Sequence, residues 1–436
     1  MAEFQIKPLR RTKVGVIFPN IAKSEIRLSP SARLEEACGL ALAINLDVVY
    51  KEIINLREIK PAVFLGGGAI ERLEKIIAEQ EIELLIIDNS LTPIQQRNLE
   101  KKLKTKVIDR TALILEIFGE RANTKEGTLQ VELAHLSYQR SRLVRSWTHL
   151  ERQRGGAGFL GGPGETQIEL DRRIIDDKIT KIKKELEKVK KTRTLQRHAR
   201  QKIPYPVVAL VGYTNAGKSS WFNTLTQANV FAKDLLFATL DPTMRRVKLP
   251  SGREVILSDT VGFISDLPHE LIMAFRATLE EVLEADIIVH VRDIANADTQ
   301  EQKKDVLEVL ANLGLKDIRE KDNYIELLNK ADLLDEDSKQ RIRNHLLQRK
   351  NKVLTSAVTG EGKEQFLQMI DEKLATGSLE KSITISAASG DILAWLHSNA
   401  RILTQTPIED KIKLTVQISA SKWQQLENRL KELKLS

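Results

Sequence analysis

Residues 212 to 219, GYTNAGKS, have the composition and spacing of a loop that holds phosphate groups. They match Gly-x-x-x-x-Gly-Lys-Ser and lie between the apolar run VVALV and a helical pattern. In such a loop, backbone N–H groups and the start of the helix face the phosphates, the lysine spans the β- and γ-phosphates, and the serine hydroxyl is available to Mg²⁺. We therefore predict nucleotide contacts from Gly212, Tyr213, Thr214, Asn215, Ala216, Gly217, Lys218, Ser219 and Ser220.

The segment NKAD, residues 329 to 332, indicates which base accompanies the phosphates. It follows the apolar run YIELL, at the end of a strand where open α/β sheets bind ligands. The carboxylate of Asp332 can accept both the ring N–H and the exocyclic amine of guanine. Adenine offers no such pair and would leave a buried charge without a partner, which costs more than the ~1–3 kcal/mol of a neutral unsatisfied group. The segment TSAVTG, residues 355 to 360, has the form of a companion loop that braces the base. The predicted base contacts are Asn329, Lys330, Ala331, Asp332, Ser356, Ala357 and Val358.

Two segments between these motifs have the residues that would respond to a γ-phosphate. In LSDTVGF, residues 257 to 263, Asp259 would orient the Mg²⁺ shell and the Gly262 amide would meet the γ-phosphate. In FATLDPT we favour Thr239 over Thr243 as the threonine that closes on Mg²⁺. Loops of this kind are ordered by the γ-phosphate and released after hydrolysis. We predict Lys218, Thr239 and Gly262 as catalytic and Ser219, Thr239 and Asp259 as the metal site; further nucleotide contacts are Phe237, Ala238, Leu240, Asp241, Thr260 and Val261.

Two residues of these motifs bear on mechanism. Phe263 stands where many GTPases place a glutamine that orients the attacking water, so we expect slow intrinsic turnover that a partner accelerates. The side-chain oxygen of Asn215 could help K⁺ contact the phosphates. A turn-stabilising asparagine is an equally good interpretation of that position.

Alternating strand and helix patterns supply the elements that would position these motifs. Residues 13 to 122 contain the runs KVGVIF, LDVVY, AVFLG, ELLIID and KVID, which predict a small α/β domain with a largely parallel sheet. The GGG at residues 66 to 68 is predicted as a plain turn after a strand, because it lacks the dinucleotide fingerprint. Alternation returns from Pro206 to about Ala375. After a linker, ATGSLEKS, residues 383 to 436 predict strand, helix, strand, helix, with Trp395 and Trp423 in the core.

Two heptad-type seams separate the first α/β region from the second, and together they predict an antiparallel helical hairpin. The first seam is Leu129, Leu133, Leu136, Arg140, Leu143, Trp147 and Leu150; the second is Ile168, Arg172, Ile175, Ile179, Ile182, Leu186, Val189 and Arg193. Between them lies RGGAGFLGGPGETQ, residues 154 to 167, with six glycines. Because a helix connection needs only ~2–8 residues, this tip suggests a probe, although a flexible connector is the alternative.

Composition and charge limit the class of protein. At 436 residues, with 42% apolar and 29% charged residues, the chain predicts a soluble globular protein of several domains. No apolar stretch approaches the ~20 residues of a membrane span, and the N-terminus lacks a signal-peptide core, so we expect the cytosol. Cys38 is the only cysteine, which excludes a disulfide within the chain and a thiolate cluster for zinc.

The basic charge is concentrated in the hairpin. Residues 140 to 202 contain 18 Lys and Arg against 8 Asp and Glu, a surplus of 10, whereas the whole chain has a net charge of +8. A concentrated basic surface suggests a polyanion as partner, with a solvated helix face as the alternative.

With these motifs in hand, the chain resembles the HflX family of bacterial ribosome-associated GTPases, from about residue 13 to 375. The added glycine at the tip differs from the shorter Gly-Gly-x-Gly-x-x-Gly-Pro-Gly-Glu typical of the family. The segments that carry the resemblance are RNLEKKLKTKVIDRTALILEIF, QVELAHLSYQRSRLVRSWTHLERQ, GGAGFLGGPGETQIELDRR, GYTNAGKSS, FATLDPTMRR and DTVGFI.

The resemblance implies a Mg²⁺-dependent GTPase that binds the large ribosomal subunit and splits stalled or vacant ribosomes, and whose hydrolysis that subunit stimulates. Alternatives are a large-subunit assembly GTPase and a nucleotide-gated rRNA-binding module. We expect a monomer with four domains: residues 1–125 (α/β), 126–202 (basic hairpin), 203–376 (GTP-binding) and 377–436 (small α/β). The candidate rRNA contacts are Arg152, Arg154, Gly155, Gly156, Gly158, Gly161, Gly162, Gly164, Arg172 and Arg173.

Overall fold

The structure is a computed structural model. It describes residues 11–22, 28–153, 163–200, 205–227, 236–237, 239, 243–266, 282–347, 349, 351–376, 378–386, 389–408, 411–419, 423, 426–427 and 430. Within the two long helices, side chains are described for residues 125–143 and 169–189. In the described part of the chain, no helix is both long and apolar enough to cross a membrane.

The N-terminal part is a parallel sheet with helices, as the alternating pattern predicts. Its strands are β1 (Lys13–Ile21), β2 (Asp47–Leu56), β3 (Leu84–Ile87) and β4 (Lys106–Asp109), in the order β2-β1-β3-β4. All of their pairings are parallel. The helices are α1 (Pro30–Ala43), α2 (Gly67–Gln80), α3 (Pro93–Leu103) and α4 (Arg110–Arg121). Ser29, Thr92 and Asp109 cap α1, α3 and α4 with their side-chain oxygens, which satisfies free N–H groups at the helix starts.

One predicted strand of this part is wrong. The run AVFLG lies in a turn that an isolated bridge between Lys60 and Phe64 closes. Pro61 cannot donate to a ladder, and Phe64 has a φ of 63°, so the backbone here cannot continue as a central strand. Phe64 and Leu65 are nevertheless fully buried, which explains why the run is apolar. The GGG segment therefore follows a turn, and it starts α2 with Gly66 at the N-cap.

The helical hairpin consists of α5 (Lys125–Gln153) and α6 (Pro163–Arg200). Leu129, Leu136, Ile179 and Ile182 are buried between the two helices, and Leu133, Ile175, Leu186 and Val189 pack against them. The predicted seam is therefore confirmed for these eight apolar residues, whereas Arg140 and Arg172, which we also placed on it, are exposed. Residues 163–167, which we assigned to the glycine-rich tip, are helical, because a proline at the first helical position starts α6. At 1.5 Å per residue, α5 and α6 extend about 40 and 55 Å.

The third part is a six-stranded sheet. Its elements are β5 (Val207–Val211), α7 (Lys218–Thr226), β6 (Thr243–Lys248), β7 (Glu254–Asp259), β8 (Ile287–Asp293), α8 (Thr299–Asn312), β9 (Tyr324–Asn329), α9 (Glu336–Leu346), β10 (Lys352–Leu354) and α10 (Lys363–Thr376). The strand order is β10-β9-β8-β5-β7-β6, and all pairs are parallel except β6 with β7. Strand β6 was not among the predicted strands, because this edge strand, TMRRVK, has few apolar residues.

The C-terminal part is an antiparallel sheet with one helix before its second strand. Its elements are β11 (Ser378–Ser386), α11 (Gly390–Asn399), β12 (Arg401–Ile408) and β13 (Lys411–Ser419), in the sheet order β11-β13-β12. The prediction of a single strand after the helix is wrong, because RILTQTPI and KIKLTVQIS pair with each other. The predicted linker is also too long, since β11 already begins at Ser378. Trp395 and Trp423 pack against the core of this part, as predicted.

Candidate nucleotide-binding site

The phosphate loop joins the end of β5 to the start of α7 at the carboxyl edge of the six-stranded sheet. Its two glycines are required by its geometry. Gly212 has a φ of 153°, and a Cβ there would lie 2.2 Å from the carbonyl oxygen of Val291. Gly217 has a φ of 95°, and a Cβ there would lie 2.1 Å from Nδ2 of Asn329. Both positions therefore exclude any larger residue.

Lys218 is the first residue of α7, and its side chain turns back over the loop. Its Nζ donates to the carbonyl oxygens of Tyr213 at 2.8 Å and Gly212 at 3.2 Å. Burial lowers the pKa of Lys218 to about 8, and the nearby Asp259 carboxylate opposes that shift. A buried ammonium without a full negative partner is costly, so this position favours an anion such as a phosphate.

The three predicted metal residues lie together. The Ser219 hydroxyl contacts Oγ1 of Thr239 at 2.8 Å and donates to Oδ2 of Asp259 at 2.7 Å, and Thr239 donates to the same oxygen at 3.0 Å. Thr243, the competing threonine, lies in β6 and pairs with Asp259 across the sheet. The geometry therefore favours Thr239 over Thr243 as the threonine that would close on Mg²⁺.

Burial raises the pKa of Asp259, and hydrogen bonds from Ser219 and the Lys218 charge oppose that shift. Its Oδ1 is buried and has no hydrogen-bond partner among the described residues. An orphaned carboxylate oxygen beside two hydroxyls fits a hard cation such as Mg²⁺, which prefers oxygen ligands. This set of donors could hold Mg²⁺ directly or through its waters.

Gly262 and Phe263 lie directly against the phosphate loop. The Thr214 amide donates to the Phe263 carbonyl at 2.7 Å, and the Phe263 amide donates to the Gly212 carbonyl at 3.1 Å. A Cβ at Gly262 would lie 2.9 Å from Cα of Thr214 and 3.0 Å from Nζ of Lys218. The Phe263 ring is buried in the core, with 3% of its surface exposed, so it contributes nothing polar toward a water.

Asn329 connects the base loops to the phosphate loop. Its Nδ2 donates to the Ala216 carbonyl at 2.8 Å, and its Oδ1 accepts from the Ala357 amide at 3.0 Å. The Ser356 hydroxyl donates to Oδ1 of Asp332, which brings together the two motifs that we assigned to guanine. Val358 is 84% exposed beside them, where an apolar surface could cover a base.

Asn215 lies at the exposed end of the phosphate loop with a φ of 57°. Asparagine adopts this left-handed conformation more readily than most residues. The backbone alone therefore accounts for an asparagine here, without a cation.

Other predicted site residues divide into three groups. The ring of Phe237 packs edge-on against Phe118 of α4, with ring centroids 4.7 Å apart, which leaves its backbone for the site. Thr260 donates its hydroxyl to the Leu210 carbonyl at 2.6 Å, and Val261 is buried. The third group lies outside the described residues and consists of Ala238, Leu240 and Asp241.

Most of the candidate rRNA contacts also lie outside the described residues, namely Arg154, Gly155, Gly156, Gly158, Gly161 and Gly162. Arg152 lies in the last turn of α5 and Gly164 lies in the first turn of α6. Arg172 and Arg173 are exposed on α6. Arg172 lies 4.0 Å from Asp176, which also pairs with Arg140 across the hairpin at 2.8 Å.

The N-terminal part also contacts the site through side chains that were not among the predicted site residues. The Tyr213 hydroxyl donates to Glu36 of α1 and accepts from the Ser265 amide at 2.9 Å. Burial and the Glu36 carboxylate raise the pKa of Tyr213 well above its ordinary value, so it remains a neutral donor. Glu36 lies 177 residues before Tyr213 in the chain, so no local motif predicts that the two side chains meet. The only sequence feature that could have indicated the contact is a polar residue within an apolar face of α1.

A parallel sheet with this phosphate loop, hydroxyl–carboxylate cluster and Asn-Lys-x-Asp loop at one edge defines a P-loop GTPase. Four family descriptions match successive parts of the chain: "GTP-binding GTPase N-terminal" over residues 31–119, "GTP-binding GTPase Middle Region" over 121–200, "50S ribosome-binding GTPase" over 207–330 and "HflX C-terminal domain" over 341–435. The chain belongs to the HflX GTPase family, and GTP is its substrate.

Two relatives and one solved structure illustrate the similarity. GTPase HflX of Magnetococcus marinus is 48% identical over 88% of this chain and 88% of its own. GTPase HflX of Escherichia coli K12 is 42% identical over 84% of this chain and 85% of its own. The crystal structure of a GTP-binding protein from Sulfolobus solfataricus in complex with GDP matches with a TM-score of 0.44 and 23% identity, over 83% of this chain and 98% of that one.

Proposed function

We propose that this GTPase binds the large ribosomal subunit and uses its helical hairpin to separate ribosomes into subunits, with hydrolysis stimulated by that subunit. The observation that carries the proposal is the burial of Phe263, which leaves the position after Gly262 without a polar side chain for the attacking water. A GTPase of this kind depends on a partner to complete the site. The match to a 50S ribosome-binding GTPase domain supports the large subunit as that partner.

Within the site, we assign the charge-bearing roles to this chain's own groups. Lys218 would face the β- and γ-phosphates, and the Gly262 amide would donate to the γ-phosphate. Ser219 and Thr239 would hold Mg²⁺ with Asp259 orienting its shell, and the metal would neutralise developing phosphate charge. Asp332 would accept from guanine, while Asn329 holds its loop in place.

The test is GTP hydrolysis with and without purified mature large subunits, at fixed K⁺ and Mg²⁺. We expect the subunit to raise turnover at least about tenfold, a modest share of the ~10³–10⁵ that protein activators supply elsewhere. An unchanged rate would remove the mature large subunit as activator. Replacing K⁺ with Na⁺ in the same assay tests whether Asn215 helps K⁺ contact the phosphates. An equal rate with the two cations would leave Asn215 with its role in the turn alone.

Separation of subunits distinguishes the proposal from its rivals. We expect intact ribosomes to dissociate, as followed by light scattering, with GTP and with a slowly hydrolysed analogue, because binding would drive separation and hydrolysis would drive release. An assembly GTPase would instead bind precursor particles and leave mature ribosomes intact. A nucleotide-gated RNA-binding module would bind RNA equally well with GTP and with the slowly hydrolysed analogue, and it would leave ribosomes intact.

The hairpin charge can be tested separately. The double variant Arg172→Gln/Arg173→Gln should weaken binding to the large subunit. The slope of log affinity against log salt concentration should become shallower by about two, since two phosphate contacts are lost. The control Lys101→Gln/Lys102→Gln removes the same charge from the exposed face of α3, outside the hairpin. Equal losses in the two double variants would mean that overall charge, rather than the hairpin, attracts the subunit.

A further inference from the structure

The N-terminal part and the six-stranded sheet meet at a buried polar network. Its centre is Arg110, the first residue of α4, which is only 3% exposed. Its guanidinium donates to Glu36 at 2.6 Å, to Asp88 at 2.5 Å and to the Ser265 carbonyl at 2.9 Å. Its two carboxylate partners offset the cost of burying this charge and give the contact a defined geometry, although the Nε of Arg110 has no hydrogen-bond partner among the described residues.

On one side, this network holds both segments that respond to the γ-phosphate. Tyr213 of the phosphate loop donates to Glu36, and its hydroxyl also contacts Oγ of Ser265 at 2.7 Å. Ser265 follows Gly262 by three residues and donates its hydroxyl to Asp305 at 2.6 Å. Phe237, two residues before Thr239, packs on Phe118 of the same helix α4. A shift of Gly262 or Thr239 would therefore be transmitted to α4.

On the other side, the residue next to Arg110 holds the root of the hairpin. Asp109, the N-cap of α4, accepts from the Tyr138 hydroxyl at 2.9 Å and from Arg142 at 3.3 Å, and both donors lie on α5. Arg142 also donates to Gln96 of α3. Asp109 is 1% exposed, and its other bonds are to the amides of Leu91 and Ala112. Adjacent residues of one helix start thus contact the nucleotide site and the hairpin.

We propose that Arg110 and Glu36 are positioning residues that fix the loops at Tyr213 and Ser265 relative to helix α5, so that nucleotide occupancy and hairpin occupancy depend on each other. The proposal deepens the function proposed above, because it states how contact at the hairpin reaches the GTPase site. Such coupling is reciprocal, since a ligand at either end changes the affinity at the other by the same factor.

The first experiment uses the free full-length chain and needs no ribosome. Amide hydrogen exchange of residues 136 to 143 on α5 is measured without nucleotide, with GDP and with a slowly hydrolysed GTP analogue. We expect nucleotide to change exchange in the native chain by about fivefold, at the lower end of typical coupling. Glu36→Gln should abolish that change. No change in the native chain, or the same change in the variant, would overturn the proposal.

Matched variants separate coupling from loss of folding. Glu36→Gln keeps the shape of the side chain and one oxygen acceptor, while Tyr138→Phe removes only the hydroxyl that reaches Asp109. Tyr50→Phe is the control, because it removes a hydroxyl that contacts Glu52 on the same strand β2, outside the network. Glu36→Gln should lower the unfolding temperature, because it removes a carboxylate partner of the buried Arg110, whereas Tyr138→Phe and Tyr50→Phe should unfold close to the native chain. Exchange is therefore compared at one temperature well below all of these transitions. Only the first two should lose the nucleotide effect, and its loss in Tyr50→Phe as well would overturn the proposal.

A second experiment adds mature large subunits and measures the factor by which they raise hydrolysis. If the native chain is stimulated, Glu36→Gln and Tyr138→Phe should each reduce the factor about fivefold or more. The double variant should be stimulated no less than the more impaired of the two single variants, because both changes break the same connection. Additive losses would overturn the proposal. A native chain without stimulation would instead remove the proposed function, and the exchange experiment would still decide the inference.

Discussion

The indole Nε1 of Trp221 donates a hydrogen bond of 2.9 Å to Oδ1 of Asn329. Trp221 is fully buried on α7, three residues after Lys218, and its ring lies edge-on to Phe366 at 5.7 Å. The same Asn329 side chain contacts Ala216 and Ala357. One amide group therefore ties the phosphate loop, α7 and the second base loop together, and Trp221 fixes its orientation.

Replacing Trp221 with phenylalanine should weaken binding of GDP and GTP equally, by about tenfold. The change removes one of the two donors to Oδ1 of Asn329, which costs about 0.5–1.5 kcal/mol, and leaves the γ-phosphate contacts untouched. Affinity for fluorescent GDP and for a GTP analogue measures it. Trp395→Phe, a change of the same size in the C-terminal part, is the control. Unchanged affinities would mean that Asn329 keeps its orientation without the indole.

Replacing Asp332 with asparagine should change the preferred base from guanine to xanthine. The carboxylate accepts from the 2-amino group of guanine, whereas xanthine has a carbonyl there that an asparagine amide can donate to. We expect GTP affinity to fall at least a hundredfold, since a charge-assisted bond is lost, and xanthosine triphosphate to restore hydrolysis. Competition between the two nucleotides measures the switch. Asp337→Asn, on the exposed start of α9, should change neither affinity.

The local motifs of this site could be predicted from sequence because each places its chemistry within a few residues. The clustering of Ser219, Thr239 and Asp259 follows from their strand and helix ends meeting at one sheet edge. The Tyr213–Glu36 contact could not be predicted, because it depends on how two α/β units pack. Strand β6 and the turn at Phe64 were not predicted for a related reason. Strand β6 depends on pairing with its neighbour and the turn depends on a positive φ, and neither leaves a clear periodic pattern of apolar residues.

Replacing Gly262 with alanine should reduce hydrolysis more than it reduces GDP binding. A Cβ there would lie 2.9 Å from Cα of Thr214, which is backbone and cannot move cheaply, so the 262–265 segment must shift. We expect turnover to fall about a hundredfold, the order seen when one transition-state donor is lost. Single-turnover hydrolysis and GDP affinity are compared. Gly314→Ala is the control, because a Cβ there meets nothing within 4 Å, although its φ of 103° adds local strain. Equal losses in turnover and GDP affinity would mean that the whole loop is disrupted.

Replacing Glu326 with glutamine should destabilise the GTP-binding part at neutral pH, and less so in acid. Glu326 lies on β9 with its side chain 2% exposed, and it pairs with Arg292, Lys303 and Lys352. Although burial alone would raise it, the three cations hold the pKa of Glu326 well below its ordinary 4.5. Removing the carboxylate leaves three cations without their partner, which costs about 3–5 kcal/mol.

The sign of the pH effect follows from that lowered pKa. The contribution of Glu326 is fully present above its ordinary value and is lost as the pH falls below about 4.5 toward the folded value. Burial lowers the pKa of His290, which contacts Tyr324 beside the same cluster, to about 3, so its ring stays neutral over most of this range and begins to protonate only toward pH 3. The difference in stability between the native chain and Glu326→Gln should therefore narrow between pH 5 and pH 3.

Urea unfolding followed by the fluorescence of Trp221 would measure this difference. Changing the tryptophans at 147, 395 and 423 to phenylalanine leaves Trp221 as the single reporter, and it lies in the core of the same sheet as Glu326. Glu79→Gln, on the exposed face of α2, is the control and should change unfolding by no more than about 0.5 kcal/mol. A destabilisation that persists undiminished at pH 3 would mean that Glu326 acts through packing and not through its charge.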